Sequence, residues 1–314
     1  MSDWRPSSGA DVAARRAELL ERTRNYFKNH NVLSVDTPSL SRSATSDPNI
    51  HTLSVDDDKH YLHTSPEFHM KRLLAAGYPD IYSICRVFRG GENGRNHLPE
   101  FTMLEWYRHS MMLGEIVADT VQLIAQVLER PRLADEMRRQ DYFSAFRDIV
   151  DLDPSTASID ELADAVAADA QLRKSLGDDR DAWLELILAT KISPEFSADG
   201  LTVVQHYPAS QAALARICPE NARVADRFEV YFGELELANG YVELSDADEL
   251  ARRVEQDLHV RRARGLPEPA RDDQLLAAHR AGLPECAGVA LGFERLHMVD
   301  ADVDDIRNLV SFTT

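Results

Sequence analysis

The sequence predicts an α+β fold, an antiparallel sheet flanked by helices. Three observations predict it. A long amphipathic stretch opens the chain, strand-like runs come in pairs separated by short polar turns, and strands and helices do not alternate in the βαβ order of a doubly wound sheet. A Gly-x-Gly-x-x-Gly fingerprint and a P-loop are both absent, so any bound phosphates must be held by side chains.

Residues 11–30 place Val12, Leu19, Leu20, Tyr26 and Phe27 among charges at helical spacing and end at Asn29-His30-Asn31, which predicts one long amphipathic helix. Residues 32–38 read as a short strand ending at Pro38, since a central strand does not accommodate proline inside it. Residues 41–58 are polar and expected to be loop. Residues 60–64 predict a strand feeding a helix over 66–76: Ser65 can cap it, Pro66 suits the first helical position and Gly77 can close it. Residues 81–89 and 100–108 predict a long antiparallel hairpin. A mostly helical insertion is expected over about 112–200, with a capping box at Ser158 and Glu161. A strand near 202–207, a hairpin over 228–243 turned at Gly233, a basic helix near 246–264 and a strand-helix unit from Gly288 complete the expectation of one catalytic domain over 1–314.

With 314 residues and 44% hydrophobic content, the chain can bury a core without staples. Cys85, Cys218 and Cys286 have neither CxxC nor Cys/His spacing, so reduced thiols are expected, with no disulfide framework or structural zinc. No apolar run suits a membrane span, and residues 1–6 lack a secretory pattern, so the expected location is cytoplasmic. With 35 Lys plus Arg against 53 Asp plus Glu, the net charge of -18 has the wrong sign for gripping a phosphate backbone. A nucleic acid, tRNA included, is a poor expected partner.

Three segments carry charge at strand positions: Phe88-Arg89 through Tyr107, Phe228 through Glu243, and Gly288 through Arg295. If they form one site, Arg89 and Arg295 are its candidate catalytic cations. Glu229 and Glu236 flank the turn at Gly233-Glu234 as diagonal neighbours, a pair able to hold Mg²⁺ together with phosphate oxygens. Asn239, Tyr241 and Glu243 alternate on one face, but Glu236 has the other parity, which predicts a bulge at Asn239-Gly240. Glu105 interrupts an apolar strand and needs a cationic partner, either a ligand ammonium or an Arg or Lys of the protein.

In order, these segments resemble motif 2, the downstream strands and motif 3 of class II aminoacyl-tRNA synthetases of the lysyl branch. The run from His97 to Tyr107, with Glu236-Leu237-Ala238-Asn239-Gly240 and Thr64-Ser65-Pro66-Glu67, is most similar to the free-standing lysyltransferase paralogs that act on elongation factor P. The likeness runs nearly end to end, and motif 1 begins so early that no anticodon-binding domain is expected. The resemblance implies ATP and Mg²⁺, lysine or β-lysine as substrate, elongation factor P as acceptor, and a homodimer built on motif 1. It also implies ATP binding by Arg89, Glu92, His97, Phe101, Glu236, Leu237, Gly292 and Arg295. Amino-acid binding falls to Ser65, Pro66 and Glu67 with Glu105, Tyr107, Asn239, Tyr241, Glu243 and Ala290. Within that set, Glu67 takes the α-ammonium, Asn239 the carboxylate, Tyr241 the stem, and Glu105, Tyr107 and Glu243 the distal ammonium. Ala290 stands where lysyl-tRNA synthetases usually carry glycine, which suggests a β-amino acid.

The chain departs from the family at Gly91, in place of a carboxylate, and at Leu98, in place of an amide, so two adenine contacts are missing. Two alternatives therefore stay open: an adenylate-forming enzyme with another acceptor, and a non-catalytic paralog that binds a ligand as a regulator. Arg252, Arg253, Arg261, Arg262 and Arg264 on one helical segment are either a basic docking face for an acidic acceptor or an ordinary solvated face.

Overall fold

The computed structural model describes residues 4–57 and 59–313. Helix α1 (Ala10–Asn29) buries Leu19, Thr23, Tyr26 and Phe27 on its apolar stripe. It leads to β1 (Leu33–Ser34), then to β2 (Leu40–Ser41), β3 (Ser54–Val55), β4 (His60–Leu62) and helix α2 (Glu67–Ala75). A hairpin of β5 (Ile81–Phe88) and β6 (Glu100–His109) follows. The insertion comprises α3 (Leu113–Val127), α4 (Arg132–Asp135), β7 (Arg138–Asp141), α5 (Tyr142–Val150), α6 (Ile159–Ala165), α7 (Ala170–Leu176) and α8 (Arg180–Ile187). The chain closes with β8 (Leu201–Gln205), the hairpin β9 (Arg227–Phe232) and β10 (Leu235–Val242), α9 (Ala247–Ala263), α10 (Asp273–Gly282), β11 (Cys286–Gly292) and α11 (Phe293–Ala301).

Eight strands form one sheet in the order β1-β5-β6-β11-β10-β9-β8-β7, antiparallel except where β1 meets β5 and β7 meets β8 at the two edges. Because side chains alternate across a strand, each face has a single character. One face presents Leu104, Trp106, Val230, Val289 and Leu291, which join Phe27, Tyr82 and the apolar side of α3 in the main core. Burying a side chain of that size stabilises by roughly 1.5–3 kcal/mol. The opposite face carries the charged residues. A second core beneath the insertion packs Tyr142, Phe146, Leu162 and Trp183 against Val204 and Tyr231.

Three expectations are corrected. The segment 41–58 is not all loop, since β2 and β3 pair on either side of β4 in a small sheet, and strands of two residues carry no readable period. The insertion includes strand β7, a polar edge strand held by parallel pairing to β8 in place of an apolar face. The bulge lies at Leu237, not at Asn239-Gly240: Glu236 faces Tyr231 and Ala238 faces Val230, while β10 runs in regular register with β11 from Ala238 to Val242. The physical requirement is met all the same, because skipping Leu237 brings Glu236 into phase with Asn239.

The expected hairpins, the capping box at Ser158 and Glu161, and the turn at Gly233, with φ +55, are all present. Helix α2 starts at Glu67, whose N–H donates to Ser65 Oγ at 2.9 Å, and Pro66 stands immediately before it. Helix α10 is additional to the elements expected from sequence. It buries Leu275, Leu276 and His279 and packs against α2 and α9. Among the described residues no helix is long and apolar enough to cross a membrane.

Candidate active site

Strand register assembles the site in two rows across the polar face. Glu105 pairs with Ala290, Ala290 with Asn239, and Asn239 with Glu229. One step along, Tyr107 pairs with Gly288, Gly288 with Tyr241, and Tyr241 with Arg227. Residues far apart in sequence therefore share one surface. They line a cavity of about 380 Å³, which takes in every expected site residue except Pro66 and Glu229.

The end of the cavity is acidic and closed. Glu105 is 2% exposed and accepts hydrogen bonds from Ser65 Oγ and from the Tyr107 hydroxyl, both at 2.7 Å. Neither partner carries charge, so among the described residues Glu105 pairs with no cation. Burial, with Glu67 nearby, pushes its carboxyl up to about 8. Glu243, 4% exposed, is pushed up to about 7 by burial against the pull of Lys71.

Lys71, which sequence reading missed, is a buried cation behind this end of the cavity. Its side chain is fully buried, and Nζ lies 2.6 Å from Glu67 Oε1 and 2.6 Å from Glu243 Oε2. Burial opposes its charge, yet Glu243 and Glu67 together hold its pKa above the ordinary value. The available signal was the spacing of Glu67 and Lys71 on one helix face beside the core residues Met70 and Leu74. Gly288 makes room for this end: a Cβ there would meet Glu243 Oε1 at 2.4 Å and Tyr107 Cε1 at 2.5 Å.

Asn239 occupies the middle. Its Oδ1 accepts from Arg227 Nε and its Nδ2 donates to the Tyr241 hydroxyl, each at 3.3 Å. Arg227, also absent from the sequence expectation, donates from Nη2 to Glu229 Oε1 at 2.6 Å.

The other end is cationic. Arg89 follows β5, with its guanidinium carbon 5.3 Å from the Phe101 ring centroid and Nη1 3.9 Å from Glu92. Arg295, in the first turn of α11 just after Gly292, reaches Glu236 Oε2 at 3.1 Å and donates from Nη2 to His97 Nε2 at 2.7 Å. Burial and then Arg295 lower the His97 pKa, so a neutral imidazole accepts that bond. Two arginines, one of them over an aromatic ring, are suited to a nucleotide phosphate chain and its base.

Glu229, one of the expected metal pair, is engaged by protein groups in this structure. Its Oε1 is held by Arg227, its Oε2 by the hydroxyls of Tyr207 and Tyr231, and it does not line the cavity. Burial and then Glu236 raise its pKa. Among the described residues no group of three or more His, Cys, Asp or Glu is placed to hold a metal ion. Leu98 lines the cavity but is buried against Met298, Ile306 and Leu309, which makes it core packing as well. The basic face of α9 is not a set of free cations. Arg252 pairs with Glu249, Arg253 with Glu249, Arg262 with Glu255 and Glu268, and Arg264 with Asp179, while Arg261 is buried against the carbonyls of Pro267 and Asp47.

Comparison with known proteins matches residues 1–314 to the model of class II tRNA synthetases of the D, K and N type. The chain belongs to the class II tRNA synthetase family. Within it, the chain is 40% identical over 321 residues to an elongation factor P–(R)-β-lysine ligase of Klebsiella pneumoniae, covering 99% of this chain and 97% of that one. The protein of the same name from Pectobacterium carotovorum is 40% identical, with 99% and 98% covered, and that from Salmonella gallinarum is 40% identical, with 99% and 97% covered. This synthetase-family chain carries, behind the acidic end of its cavity, an internal lysine paired with two carboxylates.

Proposed function

We propose that the chain is an ATP-dependent ligase that activates lysine or β-lysine as its adenylate and transfers the acyl group to a lysine side chain of elongation factor P. One observation carries the reading of the substrate. The closed end holds three carboxylates, Glu67, Glu105 and Glu243, and one internal cation, Lys71, so full ionisation leaves two negative charges. An amino acid with two ammonium groups offsets both, and a neutral side chain would leave a buried carboxylate without a counter-charge. α-Lysine and β-lysine both meet that condition. The names of the relatives, with (R)-β-lysine and elongation factor P in them, support the finer reading.

In this reading Glu67 receives one ammonium, and Glu105 and Glu243 receive the distal one beside Tyr107. Tyr241 packs the stem, Asn239 orients the carboxylate, and Arg89 bridges that carboxylate and the α-phosphate. Arg295 neutralises the far end of the triphosphate, Phe101 supports the adenine, and His97, Glu92, Leu237 and Gly292 shape the nucleotide site. Positioning two anions against each other under cations is the main work, since a pre-organised charged site stabilises the transition state without reorganising. Ala290, between Glu105 and Asn239, sets the floor under the substrate's first carbons. Magnesium would find Glu236 as its one open carboxylate of the expected pair, with the phosphates supplying the other oxygens.

The test is ATP–pyrophosphate exchange with α-lysine, β-lysine and several neutral amino acids, followed by the mass of elongation factor P after incubation with ATP and the active isomer. Exchange with a lysine isomer and a matching mass increase on the acceptor are expected. Exchange with neutral amino acids alone would refute the reading of the pocket.

A further inference from the structure

A second cavity of about 1010 Å³ meets the first beneath the insertion. It shares Glu67, Phe68, Glu185, Arg227 and Tyr241, among others, and the loop around Asp47 with the active-site cavity, and reaches none of Arg89, Phe101, His97 or Arg295. It therefore joins at the amino-acid side, next to the Arg227–Asn239 contact, and stays clear of the nucleotide end. Under the proposed function the acyl carbonyl of the adenylate sits beside Asn239, so this cavity is a second approach to the reacting carbon.

The transfer step has a chemical requirement. An acceptor lysine is an ammonium at neutral pH and cannot attack until it loses a proton. The carboxylates shared by the two cavities are Asp47, Glu67 and Glu185. Asp47 accepts from the Asn49 N–H in its own turn, and Glu67 is paired with Lys71. The Glu185 side chain, on α8 and exposed to solvent where it lines both cavities, makes neither a hydrogen bond nor an ion pair among the described residues. We infer that the second cavity admits the acceptor amine and that Glu185 takes up its proton.

Glu185 would accept one proton from the ammonium, and the freed lone pair attacks the carbonyl carbon. The amide C–N bond forms, the bond from that carbon to the phosphate oxygen breaks, and AMP leaves with the electron pair. The second N–H proton passes to solvent. Although Glu185 is exposed to solvent, partial desolvation at the cavity wall raises its carboxyl above the ordinary range, with Arg227 of β9 opposing and Glu229 of β9, Asp47 of the β2–β3 segment and Asp181 of α8 adding to it. That suits a proton acceptor working near neutrality.

The inference rests on the proposed activation step, and the experiment separates the two. The full chain is loaded with ATP and the active lysine isomer, then given either n-butylamine, an ammonium at neutral pH, or hydroxylamine, already a free base. In Glu185→Gln the ratio of butylamide to hydroxamate formation is expected to fall about a hundredfold, within the range for general bases. In the wild type that ratio should level off once Glu185 is ionised, whereas in Glu185→Gln it should keep rising with pH as the free-amine fraction of butylamine rises. Glu185→Asp, which keeps a carboxylate, should recover part of the ratio. An unchanged ratio and pH profile in Glu185→Gln would overturn the inference, as would an equal loss in both variants, which would indicate shape alone. Absence of hydroxamate in the wild type would instead remove the activation reading, and the inference with it.

Discussion

Lys71 Nζ lies 2.6 Å from Glu243 Oε2, a buried ion pair between helix α2 and the end of the central hairpin. The same nitrogen is 2.6 Å from Glu67 Oε1, so one cation fixes two of the three carboxylates assigned to the substrate. It lowers the pocket's charge from three negative to two and sets the spacing of the groups that remain. Removing one partner of such a pair leaves an uncompensated charge and typically costs about 3–5 kcal/mol.

Lys71→Met should therefore act first on the amino acid. The KM for the active lysine isomer in pyrophosphate exchange should rise at least about tenfold, the equivalent of roughly 1.4 kcal/mol, with a much smaller change in the KM for ATP. Parallel thermal unfolding of the variant separates this effect from loss of fold. Equal increases in both constants would show that Lys71 serves the fold alone.

Proton uptake gives a second prediction. With Glu105 near 8 and Glu243 near 7, the empty pocket holds protons that an ammonium ligand must displace. The kcat/KM for lysine should rise from pH 6 to about 8 and then level off, a window set by those two values. Stability of the empty protein runs the other way. A carboxyl whose folded pKa is raised binds more protons folded than unfolded, so its contribution is lost as pH climbs from the ordinary carboxyl range to about 8. The increase in melting temperature on adding lysine should accordingly be larger at pH 8 than at pH 6. A pH-independent increase would contradict the raised carboxyls.

Gly288 offers a steric test at the same place. The Cβ of Gly288→Ala would fall 2.4 Å from Glu243 Oε1 and 2.5 Å from Tyr107 Cε1, so both must move away from the distal-ammonium position. Displacements of this kind in a positioning site cost on the order of a hundredfold in rate. A loss of about that size in lysine kcat/KM is expected, with nucleotide binding retained because Arg89 and Arg295 lie at the other end. Unaltered lysine kinetics would mean that this end of the cavity does not hold the side chain.

Most of the framework was legible in the sequence because it depends on local signals. The amphipathic α1, the hairpins and the turn at Gly233 follow from period and turn chemistry. The acidic site was legible because Glu105 breaks an apolar strand, although its hydroxyl partners were not. Lys71 escaped notice because its carboxylate partners come from different elements, and a Lys at i+4 from a Glu reads as a surface pair. Strand β7 and the site of the bulge were illegible for a related reason. One is held by its neighbour β8, and the other is decided by which residue of β10 lacks a partner on β9.

The metal expectation divides most sharply between Glu229 and Glu236. Glu236 faces the cavity and, among the described residues, its carboxylate pairs with Arg295 alone, whereas Glu229 is buried in a network with Arg227, Tyr207 and Tyr231. If magnesium uses the open carboxylate, Glu236→Gln should raise the Mg²⁺ concentration needed for half-maximal pyrophosphate exchange by about tenfold, about 1.4 kcal/mol of lost binding. Glu229→Gln should leave that concentration close to the wild-type value. Its defect should appear in stability, because an amide cannot accept from Arg227 and both tyrosines as the carboxylate does, and a buried group left unsatisfied costs about 1–3 kcal/mol. Titrating Mg²⁺ against both variants, with thermal unfolding alongside, assigns the two residues. A Mg²⁺ requirement raised equally by both substitutions would show that Glu229 releases its partners when nucleotide binds, and would restore the pair read from the hairpin.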